Sequence, residues 1–313
     1  MNKYVVTGGA GFIGSHVVDQ LLARGDEVHV VDIFLGGRRD RLNQKATLHE
    51  IDIRDFDSLA PIFKGATGVF HLAAQPRMQY SIQEPRLTND INITGTLNVL
   101  LAARDAGVKR VVYSASSSAY GARNPMPLQE DMPPEPIIPY AIQKRVGEQY
   151  CQMVSRFYGL ETVSLRYFNV YGPRQTTEKD GPYATVIGIF LGQRKNGQAM
   201  SVVPDGTMRR DFTHVYDTAW ANLLAMESLK VGKGEIINVG TGKNYSVIEV
   251  AGMIGGPWEF CKPRQGEVKE TLADYTKAKE LLGCEPKVSF EEGILELKKL
   301  NIAKVLVVPL VFY

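Results

Sequence analysis

Gly8-Gly9-Ala10-Gly11-Phe12-Ile13-Gly14 stands between a β-branched run, Tyr4-Val5-Val6, and a segment where Ile13, Val17 and Leu21 recur at helical spacing until Gly25. Strand, glycine turn, helix is the layout of a phosphate-binding βα unit. Gly8 permits the tight turn, Gly11 lets backbone approach a pyrophosphate, and Gly14 lets helix and sheet pack closely. The helix start, at Phe12 and Ile13, supplies unpaired N–H groups and partial positive charge to the phosphates. The next strand, Val28-His29-Val30-Val31, ends at Asp32, whose carboxylate accepts from a ribose diol and repels a 2′-phosphate. NAD is therefore favoured over NADP. Arg38 and Arg39, just beyond, are the residues able to reverse that choice.

Outward from this unit, short strands and helical patterns alternate. Thr47-Leu48-His49, Gly68-Val69-Phe70-His71-Leu72, Arg110-Val111-Val112-Tyr113 and Thr162-Val163-Ser164-Leu165-Arg166 read as strands. A long helix is expected from about Pro85 to Ala106, with Ile91, Leu97 and Leu101 on its inner face. Another runs from about Tyr140 to Tyr158 and stops at Gly159. Between residues 121 and 139, six prolines mark a stiff loop. Ile236-Ile237-Asn238-Val239 reads as a last strand returning to the sheet. The expected fold class is α/β: a Rossmann-type doubly wound parallel sheet with a smaller α/β C-terminal substrate-binding lobe. Residues 1–168 are assigned to the first domain, with the returning strand near 235–239, and 169–313 to the lobe.

Composition sets bounds on function. The 313 residues carry 36 Lys plus Arg against 34 Asp plus Glu, a net +2, which gives no general electrostatic reason to bind nucleic acid or an anionic membrane. Three scattered cysteines do not make a disulfide framework, and the five histidines hold no close pair at metal-ligand spacing, so no metal is expected. Only three apolar residues stand between Lys3 and Thr7-Gly8-Gly9, so no signal-peptide core is read there and a cytoplasmic protein is expected. The apolar stretch at 305–313 is too short to span a bilayer as a helix and reads as a terminal strand or packed tail.

Tyr140 and Lys144 lie four residues apart at a helix start, hence on one face. A tyrosine is a poor base, with an ordinary pKa of about 10. A nearby ammonium, a cationic nicotinamide and a helix N-terminus would each stabilise its phenolate. Ser114-Ala115-Ser116-Ser117-Ser118-Ala119-Tyr120-Gly121 follows the fifth strand. The G-x-x-G-x-x-G turn, the Tyr-x-x-x-Lys pair and their order resemble the extended short-chain dehydrogenase/reductase family.

That resemblance implies further roles. Asp52-Ile53-Arg54-Asp55 resembles the family's adenine-contacting segment, with Asp52 and Ile53 at the cofactor. Leu72-Ala73-Ala74 resembles the turn that lines the cofactor, and Asn92-Ile93-Thr94-Gly95-Thr96 the helix motif beside the active site, placing Asn92 at the cofactor as well. Tyr140 and Lys144 become the catalytic pair and contact NAD, and Ser116 the hydroxyl that orients the substrate oxygen. Leu165 to Arg174 resembles the junction of the sugar-nucleotide epimerases. By the same resemblance Ser117, Asn169, Thr185, Val186, Arg210, Arg264, Glu267 and Thr271 line the substrate site, with Asn169 on the diphosphate and Arg210 and Arg264 clamping it. Thr271, seven positions after Arg264, would border the sugar C2 substituent.

The implied activity is C4 epimerisation of a UDP-sugar through a 4-keto intermediate, by a homodimer paired through the helices near 85–106 and 140–158. Sugar-nucleotide dehydratases carry an Asp-Glu pair after the catalytic hydroxyl. Ser117 and Ser118 stand there in this chain, and neither is a carboxyl acid or base. Two other readings stay open: a related sugar-nucleotide enzyme acting at another carbon, and a non-catalytic dinucleotide sensor.

Overall fold

The computed structural model describes residues 1–76, 78–177, 184–262 and 268–301. Its strands are β1 (Lys3–Thr7), β2 (Glu27–Val31), β3 (Thr47–His49), β4 (Gly68–His71), β5 (Arg110–Ser116), β6 (Glu161–Tyr167), β7 (Met200–Val202), β8 (Arg209–Asp211), β9 (Lys233–Val239), β10 (Asn244–Ser246) and β11 (Trp258–Phe260). The α-helices are α1 (Phe12–Ala23), α2 (Phe56–Leu59), α3 (Met78–Gln83), α4 (Pro85–Asn89), α5 (Gly95–Asp105), α6 (Pro139–Tyr158), α7 (Val186–Lys195), α8 (Val215–Glu227), α9 (Val247–Ile254), α10 (Thr276–Leu282) and α11 (Phe290–Asn301).

Seven strands form one sheet in the order β3-β2-β1-β4-β5-β6-β9, every neighbouring pair parallel. Parallel strands are covered on both faces, which is why these runs are continuously apolar rather than alternating. Successive residues still point to opposite sides. Val6, Val30 and Phe70 meet Val17 and Leu21 of α1, Leu223 of α8 and Leu282 of α10. Val5, Val69 and Val111 meet Leu100 and Ala103 of α5 and Val154 of α6. The expected doubly wound sheet is thus present, and the strand read at 236–239 is β9, paired with β6.

The long helix expected from Pro85 to Ala106 is interrupted. A π turn, Asp90–Thr94, separates α4 from α5. Ile91 faces the core as expected, but Leu97 and Leu101 are only half-buried, and Val99, Leu100 and Ala103 take the inner face. One extra residue in the π turn advances the helical phase, so a 3.6-residue extrapolation from Ile91 lands on the wrong side afterwards.

A third core, with Phe190, Leu191, Val202, Phe212, Val250, Phe290 and Leu297, belongs to the elements after β6. Two small sheets frame it, β8 with β10 antiparallel and β7 with β11 parallel. The chain then returns, because α8, β9 and α10 contribute to the first core. Residues 305–313 lie outside the described residues. Among the described residues no helix is long and apolar enough to cross a membrane. In the sheet, β1 lies between β2 and β4, so the strand order reverses there and leaves a crevice at the carboxyl ends.

Candidate active site

That crevice is a cavity of about 930 Å³, lined from the ends of β1, β2, β4, β5 and β6 on one side and from the lobe on the other. At its floor the glycine turn behaves as its spacing implies. Gly8 has φ +73°, and a Cβ there would sit 2.6 Å from the Ala73 backbone N. A Cβ on Gly14 would sit 2.2 Å from the Gly8 carbonyl oxygen. Gly11 is the N-cap of the 12-residue α1 and offers no side-chain cap, so the first-turn N–H groups are left for a ligand. Phe12 and Ile13 line the same wall.

Asp32 is 9% exposed and borders the cavity. Its carboxylate accepts from the Ala10 N–H at 3.0 Å and the Phe34 N–H at 2.7 Å. Burial raises its pKa and these two donors oppose the rise. Arg38 and Arg39 are engaged elsewhere. Arg38 Nε donates to Asp40 at 2.9 Å, and Arg39 pairs with Glu50 at 2.5 Å while lying over the Phe34 ring.

Asp52, Ile53, Leu72, Ala73 and Ala74 all line the cavity. Asp52 is held by Arg54 at 2.7 Å, and that hydrogen bond keeps its pKa low. Asn92 is placed differently. It is 1% exposed and sits behind the wall, accepting from the Gln75 N–H at 2.8 Å and donating to Gln75 O and to Gln143 Oε1. It therefore ties the turn after β4 to α6.

Ser114 through Ser118, Tyr140 and Lys144 converge on the cavity from β5, the turn after it, and α6. Tyr140 lines the cavity together with Ser116. Burial pushes its pKa up to about 12, with the Ser116 contact lowering it. Its backbone N–H donates to Ser81 Oγ at 3.1 Å, fixing the start of α6. Lys144 is 3% exposed, and its Nζ donates to the Ser114 carbonyl at 2.7 Å. Burial brings its pKa down to about 7. Ser116 caps the following 3₁₀ turn by accepting from the Ser118 N–H at 3.2 Å, and the Ser118 hydroxyl donates to it at 2.9 Å.

On the lobe side, Asn169, Thr185, Val186, Arg210 and Thr271 line the cavity, and Ser117 faces them. Thr185 is the N-cap of α7, accepting from the Gly188 N–H at 3.1 Å. Asn169 does not hold its amide out toward a diphosphate. Its Nδ2 donates to the Asp211 carbonyl at 3.0 Å and to Thr271 Oγ1 at 3.1 Å, because those buried acceptors need a donor. Arg210 is braced on the Arg209 carbonyl at 2.9 Å. Arg264 and Glu267 lie outside the described residues. Sequence reasoning missed Ser118, Phe190 and Met208, which also line the cavity. The signal for Phe190 was its spacing, four residues after Val186 on α7. Among the described residues no group of three or more His, Cys, Asp or Glu is arranged to hold a metal ion.

Residues 4–240 match the model of the NAD dependent epimerase/dehydratase family. The chain belongs to that family. NAD is its cofactor, and the residues fit it: backbone lies where a Cβ on Gly8 or Gly14 would stand, the first-turn N–H groups of α1 are uncapped, and a carboxylate waits at the end of β2. Solved structures of family members are close. A UDP-glucose 4-epimerase from Thermotoga maritima, determined with UDP-glucose, is 40% identical at a TM-score of 0.91, over 97% of this chain and 99% of that one. A UDP-N-acetylglucosamine 4-epimerase from Methanobrevibacter ruminantium, in complex with UDP-N-acetylmuramic acid, is 36% identical at a TM-score of 0.91, with the same coverage of both chains. A UDP-glucose 4-epimerase from Thermus thermophilus, in complex with NAD, is 36% identical at 0.86, over 94% of this chain and 97% of that one.

Proposed function

We propose that this enzyme inverts nucleotide sugars at C4, interconverting UDP-glucose with UDP-galactose and their N-acetyl counterparts. The observation that carries the reading is one cavity in which Ser116, Tyr140 and Lys144 meet the glycine cradle while positions 117 and 118 offer no carboxylate. Without a carboxyl acid and base beside Ser116, elimination of water has no agent, and simple oxidation and re-reduction remains.

In this reading Tyr140, as phenolate, takes the proton from the sugar O4, and Ser116 orients that oxygen. Lys144, as ammonium, lowers the cost of the phenolate. Bound NAD supplies the hydride acceptor and donor for C4. Arg210 and Arg264 grip the diphosphate, so the 4-keto sugar turns over within the cavity while its nucleotide stays in place. Two solved relatives, one determined with UDP-glucose and one a UDP-N-acetylglucosamine 4-epimerase, support this reading of the substrate range. Thr271 leaves room for an N-acetyl group because its side chain is small and its hydroxyl is held by Asn169. The half-buried Leu97 and Leu101 of α5 and the exposed Ile142 of α6 support a homodimer through these helices.

The test is incubation of the purified protein with each of the four UDP-sugars, without added cofactor, followed by separation of the products. C4 inversion is the expected result; four unchanged substrates would overturn the proposal.

A further inference from the structure

Ser116 is the hydroxyl on which the site turns, and its hydrogen-bond capacity can be counted. A serine oxygen accepts through two lone pairs and donates one proton. The Ser118 N–H, a donor that cannot reverse, approaches Ser116 Oγ at 3.2 Å, and the Ser118 hydroxyl at 2.9 Å. Both lone pairs are thereby taken from one side. The single proton of Ser116 is left to point into the cavity that Tyr140 also lines, and the Ser116 contact lowers the Tyr140 pKa. We infer that Ser118 is a positioning residue for the reaction: by donating twice to Ser116, it holds the Ser116 proton toward the Tyr140 oxygen and the substrate oxygen.

The inference rests on the C4-epimerase reading and adds a residue to it. The turn explains the geometry. Ser116 ends β5 in extended conformation and caps the 3₁₀ turn of residues 117–120, which brings residue 118 back over residue 116. Hydrogen bonds in such a chain polarise one another, so the Ser118 hydroxyl strengthens the donation from Ser116 to a phenolate. This chain thus uses position 118 to direct a hydroxyl.

The test compares Ser118→Ala and Ser118→Thr with the wild-type holoenzyme. Losing one hydrogen bond of the network predicts kcat lower by roughly 5- to 10-fold in Ser118→Ala, with KM within about twofold. Ser118→Thr, which keeps the hydroxyl, should recover kcat to within about threefold of wild type. The acid limb of the kcat profile should move to higher pH in Ser118→Ala, because the phenolate has lost support. On a Ser116→Ala background, adding Ser118→Ala should change kcat by less than about twofold, since the two act through one contact. Tyr140 is also titrated directly by phenolate absorbance, taking each enzyme against its Tyr140→Phe counterpart. That measurement needs no substrate, so it stays decisive even if C4 epimerisation is not the reaction. A higher Tyr140 pKa in Ser118→Ala supports the inference. An unchanged pKa, or equal loss with and without Ser116, overturns it.

Discussion

Burial makes the charged form of both Tyr140 and Lys144 costly. Burial raises the tyrosine to about 12 and lowers the lysine to about 7, so both charged forms are disfavoured until a ligand compensates. Tyr140→Phe should lower kcat by at least about 100-fold and leave KM nearly unchanged, because only the transition state needs the phenolate; steady-state kinetics on both directions checks this. For Lys144 the sign follows from linkage. Between about pH 7 and 10 the unfolded lysine holds its proton more tightly than the folded one, so the stability of the cofactor-free protein rises with pH there. Lys144→Met should therefore be more stable than wild type near pH 7, and the gap should close toward pH 10 in urea unfolding. Asp32 makes the third residue-scale expectation. Direct titration of cofactor-free protein should show NAD bound more tightly than NADP, and Asp32→Ala should shrink the difference. Tyr140, Lys144 and Asp32 were legible because each sits at a diagnostic offset from an element end. The engagement of the Asn169 amide was not, since its partners, Asp211 and Thr271, are distant in sequence.

Among the elements, β5 carries a buried anchor that no motif announces. Arg110 is 3% exposed, pairs with Glu161, and its guanidinium donates to the carbonyls of Ala225, Met226, Ser228 and Val231 at 2.8–2.9 Å. It closes the C-terminal end of α8 against the start of the sheet. Arg110→Ala leaves those carbonyls unsatisfied and should cost about 3–5 kcal/mol in equilibrium unfolding, with kcat of the remaining folded enzyme little changed. In sequence Arg110 only opens a Val-Val strand, so its anchoring role was invisible. The π turn was equally hidden, because its extra residue changes phase without leaving a breaker residue. Where a glycine, a proline run or a β-branched run marked an element, as at Gly25, Gly159 and the proline loop, the expected boundary and the observed one agree closely.

At the scale of the molecule, the parallel sheet brings the ends of five strands to one crevice, and the elements after β6 wall it from the other side. The sheet was readable since apolar runs and helical periods alternate through the first half. The lobe was less so, because its strands are three residues long and its packing joins Tyr171, Phe212 and Phe290 across more than a hundred positions. Thr271 tests that lobe. Thr271→Tyr should suppress turnover of the N-acetyl sugars and spare UDP-galactose, as assayed by product separation; equal loss on both removes it as the gatekeeper. The central claim is that hydrogen leaves and returns to C4 inside one cavity. UDP-galactose bearing deuterium at C4, incubated in ordinary water without added cofactor, measures this most directly. UDP-glucose that keeps its deuterium at C4 is the predicted product; unchanged substrate, or product with protium at C4, would contradict the account.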